Sequence, residues 1–449
     1  MTDDTKNIVF EDIRRLQNGQ DEHDRVACCD RQTLRNTILL SFFAMLVLVR
    51  FPQIVLQGGR LWAEEGVIYL NNALTKPWYA AWFAIIPQEH AAYINLSAGL
   101  ATWLGFKLGG LFYAPLVTLV IALIIQCLPP FVVLTHRFPW KKTLAGSIAA
   151  VSICALAPVS GEVWLNTIES QMHLSLAAAL ILAAPLADGA LLNLDLAVLL
   201  LAVFSGPGTS ILLPLYIVRT FFERKRGRIL QLAIVASGFV VQVSMYLTHL
   251  SAARGFSLTP LNIISISSLH TIVLPFGGLH LAHYLSHTVA GIKSQNIGLL
   301  TLVIFFFLFY LLTLLMAIKW RDISLGFLVA TSAVCGTVFF AGALTDSYTN
   351  MLHLTYDGRY AFTPEVLNSL IIVYIANIKK YFMLKKLSIL LVFWIVLVGA
   401  SNYRTGNDMF AHGPSWHKQI ILWYENHNHT VKTWPYGWTL TIPKNAELP

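Results

Sequence analysis

Charge is what this sequence lacks most. Asp, Glu, Lys and Arg make up 12% of its 449 residues, while 56% are apolar. A soluble domain carries about twice that share of charge. A surface so poor in charge must itself be apolar, which excludes an ordinary water-soluble domain and makes lipid the solvent. The fold expected is all-α, a polytopic helical membrane protein. Cysteine is scarce as well. Cys127, Cys154 and Cys335 fall inside apolar runs and Cys28-Cys29 in the N-terminal tail. That distribution excludes a disulfide framework, and a lone Cys-Cys pair with no second pair makes no zinc site. Acids are outnumbered, giving a net charge of +8. Basic cytoplasmic loops alone produce such a balance, so no nucleic-acid partner is needed. The N-terminus is long, polar and acidic rather than shaped as a cleavable signal, so the first span reads as an uncleaved anchor.

Long apolar runs are abundant. Residues 1–36 read as a cytoplasmic tail whose Arg25, Arg31 and Arg35 favour an N-terminus inside. The first run covers about 36–56. Later runs cover 111–134, 143–158, 172–187, 190–205, 208–221, 229–249, 296–318, 323–344, 366–379 and 387–401. Tyr93–Phe106 decides the parity. At about 14 residues it is short for a span. Counting it as one would place His136–Lys142, Glu223–Arg228 and Lys379–Lys386 outside, against the positive-inside tendency. Laid along the interface, it leaves about 11 transmembrane helices, a cytoplasmic N-terminus and an external C-terminus. The 37–401 bundle then carries a long first external loop (57–110) with interfacial helices and a second large external loop (250–295). A Trp-rich external cap follows at 402–449. Nearly every chemically capable residue gathers on the external side, as in an enzyme with an extracytoplasmic site.

Several groups on that side are candidates. Glu64 and Glu65 stand between Trp62 and Gly66, either as a solvated pair or as a general base whose pKa is raised beside the bilayer. His90, in Gln88-Glu89-His90, either orients an acceptor or sits in a polar turn. Glu162, Asn166, Glu169 and His173 are spaced i, i+4, i+7, i+11, one stripe of a helix. That stripe suits acceptor or sugar binding, or simply a wet helix face. Ser205-Gly206-Pro207-Gly208 reads as a structural turn more than a phosphate loop. His280, His283 and His287 share a helical face but lack an acidic second shell, so no metal site is assigned. Arg359 and Tyr360 begin a later run, where a guanidinium suits a lipid-linked phosphate or an ion pair with Asp346 or Asp357.

Taken together, Trp62-Ala63-Glu64-Glu65-Gly66 after the first span and the interfacial helices of its long loop resemble the GT-C class of membrane glycosyltransferases. Asn166 to His173, Ser205-Gly206-Pro207, Gly358-Arg359-Tyr360 and the Trp-Pro-Tyr-Gly-Trp ending resemble a bacterial subgroup of that class. The resemblance implies sugar transfer from a polyprenyl-phosphate donor to a glycan, lipid or protein acceptor outside the bacterial inner membrane. It implies an acidic base, here Glu64 or Glu65, and a donor-phosphate ligand, here Arg359 with Tyr360. The Glu-Glu pair departs from the commoner Asp version and leaves open which acid acts and whether a divalent cation takes part. The rival expectations are a polymerase or ligase of lipid-linked oligosaccharides, and a transporter or flippase without covalent chemistry.

Overall fold

A computed structural model describes residues 31–85, 93–248, 259–291, 295–342, 348–355, 358–378, 382–404, 410 and 412–443. Among them the chain is helical almost throughout, with a two-residue antiparallel pair, Val431–Lys432 against Thr439–Leu440. Helix α1 (Arg31–Arg50) leads to α2 (Pro52–Leu56), a π-helical turn (Glu65–Leu70), α3 (Asn71–Thr75) and α4 (Trp78–Trp82). Then come α5 (Leu96–Gln126), α6 (Leu128–Thr135), α7 (Leu144–Ala155), α8 (Ser170–Ala183), α9 (Gly189–Phe204), α10 (Leu213–Glu223) and α11 (Arg226–Thr248). The second half holds α12 (Pro260–Ser268), α13 (Leu274–Ala290), α14 (Gln295–Trp320), α15 (Ile323–Gly342), α16 (Tyr348–Met351), α17 (Gly358–Asn377) and α18 (Phe382–Ser401). A tail helix, Trp416–Glu425, precedes the strand pair.

Seven helical stretches are long and apolar enough to cross a membrane, and α7, α8 and α9 are shorter apolar helices. The protein is a multi-pass helical membrane protein. Each apolar run expected from the sequence falls on a helix or on consecutive helices. The outer helices present bare hydrocarbon: on α14, Ile297, Leu300, Ile304, Phe307 and Leu311 are all exposed. The centre is α8, whose fourteen side chains are all buried. A helix apolar all round belongs inside a bundle. Its small Ala177, Ala178 and Ala179 let neighbouring backbones approach, which is how helices pack where lipid removes the hydrophobic drive.

Side-chain hydrogen bonds sort the loops into two ends. One end is basic. There Arg35 donates to the Lys141 carbonyl, His136 pairs with Asp195 at 3.1 Å and Tyr374 donates to Asp322. Arg219 and Arg228 both reach the Ala184 carbonyl and share Glu223, at 2.6 and 2.9 Å, so the buried C-terminus of α8 is satisfied by two cations. At the other end Arg50 donates to the Ala155 carbonyl, Gln242 to Ile94 and Val203, and Arg404 to Val49. The first loop, the 156–169 segment, the 205–212 turn and the C-terminal tail all meet here.

Of the stretch Tyr93–Phe106, Leu96–Phe106 forms the start of α5, and Gly110 (φ 56°, ψ −166°) breaks that helix into two arms. The arms fold on each other so closely that a Cβ at Gly105 would lie 2.8 Å from the Ala114 carbonyl oxygen. Only glycine adopts the Gly110 conformation without strain. The expected loop over 250–295 is, within its described part, mostly helix. Ser265 on α12 bonds Tyr348 and Ser286 on α13 bonds the Leu352 carbonyl, so the chain doubles back at Gly278 (φ 78°). Its serines and histidines masked an apolar face that packs inside the bundle.

Candidate active site

The 156–169 segment builds the site. The expected stripe of Glu162, Asn166, Glu169 and His173 on one helix is not formed. Gly161–Val163 is a single 3-10 turn, 164–169 is irregular, and helix resumes only at Ser170. Pro158 interrupts the chain, and Asn166 offers the backbone another partner: its Nδ2 donates to the Glu162 carbonyl and its Oδ1 accepts from Glu169 N at 2.8 Å. Val159 and Leu165 sit at φ 54°. A β-branched residue there is strained, and such strain persists only where the surroundings impose it.

Those surroundings are specific. Gln126 donates to the Val163 carbonyl and accepts from Leu165 N. Arg60, wholly buried, donates to the Trp164 and Phe410 carbonyls and lies 4.6 Å over the Trp62 ring. Burial pulls its pKa down to about 9. Asn95 donates to the Ile168 carbonyl and Ser97 to the Thr167 carbonyl. Glu65 closes the frame. It is buried, one carboxylate oxygen accepts from Trp62 N at 2.7 Å, and the other accepts from both the backbone and the hydroxyl of Thr167. Burial raises the Glu65 pKa, while the Thr167 and Trp62 bonds and Arg60 oppose the rise. Its neighbour Glu64 is only half-buried.

The irregular loop nevertheless brings two of its acids to one cation. Arg359 Nη1 stands 3.0 Å from Glu162 Oε1 and 3.2 Å from Glu169 Oε1. Its guanidinium also lies 5.0 Å over the ring of Tyr360. Gly358 permits the approach, because a Cβ there would collide with the Val159 carbonyl oxygen. Glu169 is 3% exposed in its side chain, and its Oε2 has no hydrogen-bond partner among the described residues. Burial raises its pKa; Arg359 opposes the rise, and the charges of Glu162 and Glu64 add to it. Glu64 is thus close enough to be felt by Glu169, and also by Tyr69 and Tyr93, whose hydroxyls burial holds protonated. Glu162, Glu169 and Arg359, from two distant parts of the chain, form one polar centre, and the charge of Glu64 reaches Glu169 within it.

The remaining candidates fall elsewhere. His173 is buried, with Nε2 3.2 Å from the Val163 carbonyl oxygen and its ring against Trp164 and Phe362, so it packs the frame. Asn166 is a structural brace. Ser205 accepts from Ser97 N as part of a turn. His90, Asp346 and Asp357 lie outside the described residues. Among those described, no three His, Cys, Asp or Glu side chains are grouped as for a metal ion. Arg60, Asn95, Gln126, Thr167 and Tyr69 went unnoticed in the sequence, where single polar residues beside apolar runs give no signal.

No protein-family model and no curated protein matches the chain. Among solved structures it is similar to the crystal structure of ArnT from Cupriavidus metallidurans bound to undecaprenyl phosphate. The two are 13% identical, with a TM-score of 0.31, over 75% of this chain and 77% of that one. A likeness this distant assigns neither family nor activity to the chain, whose reading rests on its own site.

Proposed function

We propose that the protein is a membrane glycosyltransferase of GT-C type, moving a sugar from a polyprenyl-phosphate carrier to an acceptor hydroxyl outside the bacterial inner membrane. The observation that supports this reading is Arg359 held by Glu162 and Glu169, 197 and 190 positions away in sequence, at the end of the bundle opposite the basic loops, with Glu64 near enough for its charge to act on Glu169. In the reaction Glu64 takes the acceptor hydroxyl proton as that oxygen bonds to the anomeric carbon. The bond from that carbon to the phosphate oxygen breaks, its electron pair leaves with the polyprenyl phosphate, and the configuration inverts. Glu65 does not compete for the role, since its oxygens already accept three hydrogen bonds. Arg359 stabilises the departing phosphate. Its two carboxylate partners oppose a second anion there, and a neutral Glu169 relieves part of that repulsion. Tyr360 supports the guanidinium through its ring.

The test is Glu64→Gln followed by mass spectrometry of surface glycans, with transfer expected to fall about 10²–10⁴-fold. One observation favours a second reading, transport without chemistry. Glu365, 1% exposed on α17, has no hydrogen bond to either carboxylate oxygen among the described residues, and Arg50 is the cation beside it. Ionisable groups inside a bundle mark many ion and substrate paths. If Glu365→Gln abolishes export while Glu64→Gln leaves transfer intact, that reading replaces the first.

A further inference from the structure

A cleft of about 620 Å³ lies where α3, the Lys76–Pro77 turn, the first arm of α5 and the end of the tail meet. Its volume suits a small-molecule or headgroup site. Lys76 and Lys107 are its charged residues, and no carboxylate lines it among the described residues. Trp78, Trp103 and Phe106 form aromatic walls. The Lys107 ammonium lies 5.4 Å over the Phe106 ring, which holds it against the wall. The elements of this cleft are distinct from the α17 and 156–169 pieces that hold Arg359, and none of its lining residues belongs to the centre described above.

Its surroundings define the ligand further. Trp78 and Tyr79 are 52% and 57% exposed, and Phe83 is exposed beside them. Trp78, Trp82 and Trp103 form a chain of edge contacts, at 4.8 and 5.4 Å, that ties these exposed rings to α5. Exposed Trp and Tyr on short helices of a membrane protein sit at headgroup depth. Two ammoniums at that depth, with no carboxylate among the described lining residues, recognise an anion, and indole walls recognise an apolar body attached to it. We propose that this cleft binds the phosphate headgroup of an anionic lipid, with Lys76 and Lys107 on the phosphate and Trp78 and Trp103 against the glycerol and upper acyl chain.

The experiment uses the full-length protein in nanodiscs and reads retained lipid by native mass spectrometry, with phosphatidylglycerol as probe and phosphatidylcholine as reference. Each basic residue near a membrane surface contributes roughly a fivefold preference for anionic lipid. Lys76→Ala and Lys107→Ala should each lower retention by about fivefold, and the pair by about 25-fold. Both side chains are exposed, so melting should not change. Trp103→Ala should weaken phosphatidylglycerol without removing its preference over phosphatidylcholine. Soluble glycerol phosphate distinguishes the two sources of the anion and should not displace the lipid at matched concentration. Equal displacement would overturn the lipid assignment. So would an equal loss on Lys432→Ala, an exposed cation of the tail outside the cleft.

Discussion

Glu64 and Glu65 are neighbours with opposite surroundings. Glu65 is a structural anchor whose carboxylate joins the first loop to Thr167, whereas Glu64 is only half-buried. Glu65→Gln should therefore cost about 1–3 kcal/mol of stability, read by thermal melting in detergent, because a buried backbone donor loses a charged acceptor. Glu64→Gln should leave melting unchanged and remove activity. Arg359→Ala should raise the KM for donor by roughly 10–150-fold, the worth of a hydrogen bond to a charged group. Arg359→Lys should recover only part, since a point charge cannot reproduce a planar fork. Glu169 adds a pH dependence. Its folded pKa is raised, so the folded state holds the proton more tightly than the unfolded state does. Its contribution is full below the ordinary carboxylate value and is lost as pH rises through the folded one. Melting between about pH 5 and about pH 8 should fall more steeply in the unmodified protein than in Glu169→Gln.

At the scale of elements, function depends on a segment that is not regular. The spacing of Glu162, Asn166, Glu169 and His173 suggested a helix, but the period misled. Pro158, Gly161 and the bonding capacity of Asn166 outweighed it locally, and Gln126, Arg60 and Glu65 then fixed the resulting loop from three other elements. Such long-range bonds leave no periodic trace. Gly358 shows the same limit: its need to approach Val159 is visible only in three dimensions. Gly358→Val should push α17 away from the loop and lower activity at least as much as Arg359→Ala, with the basic end of the bundle unaffected. Comparing hydrogen exchange of the 156–169 and 219–231 segments would show this.

The whole molecule was more legible. Composition alone gave the helical membrane class, and apolar runs located the helices because lipid demands continuous hydrocarbon and internally bonded backbone. The sorting of acids from basic clusters along the chain predicted two unlike ends, and the hydrogen bonds bring Lys141, Arg219 and Arg228 to one and Glu162, Glu169 and Arg359 to the other. The α12–α13 hairpin escaped because its polar residues suggested a loop. We propose, from the positive-inside tendency, that the basic end is cytoplasmic. In a background lacking the native cysteines, a cysteine at Lys432 should react with an impermeant thiol reagent on intact cells and one at Lys142 should not.

The central claim is that Glu64 and Arg359 perform one transfer step, and the most direct measurement is the fate of the lipid-linked sugar in cells carrying Glu64→Gln at unmodified protein level. The account predicts that the polyprenyl-phosphate sugar accumulates while the surface acceptor stays unmodified, both read by mass spectrometry of the same membranes. Full modification of the acceptor with no accumulation would contradict it.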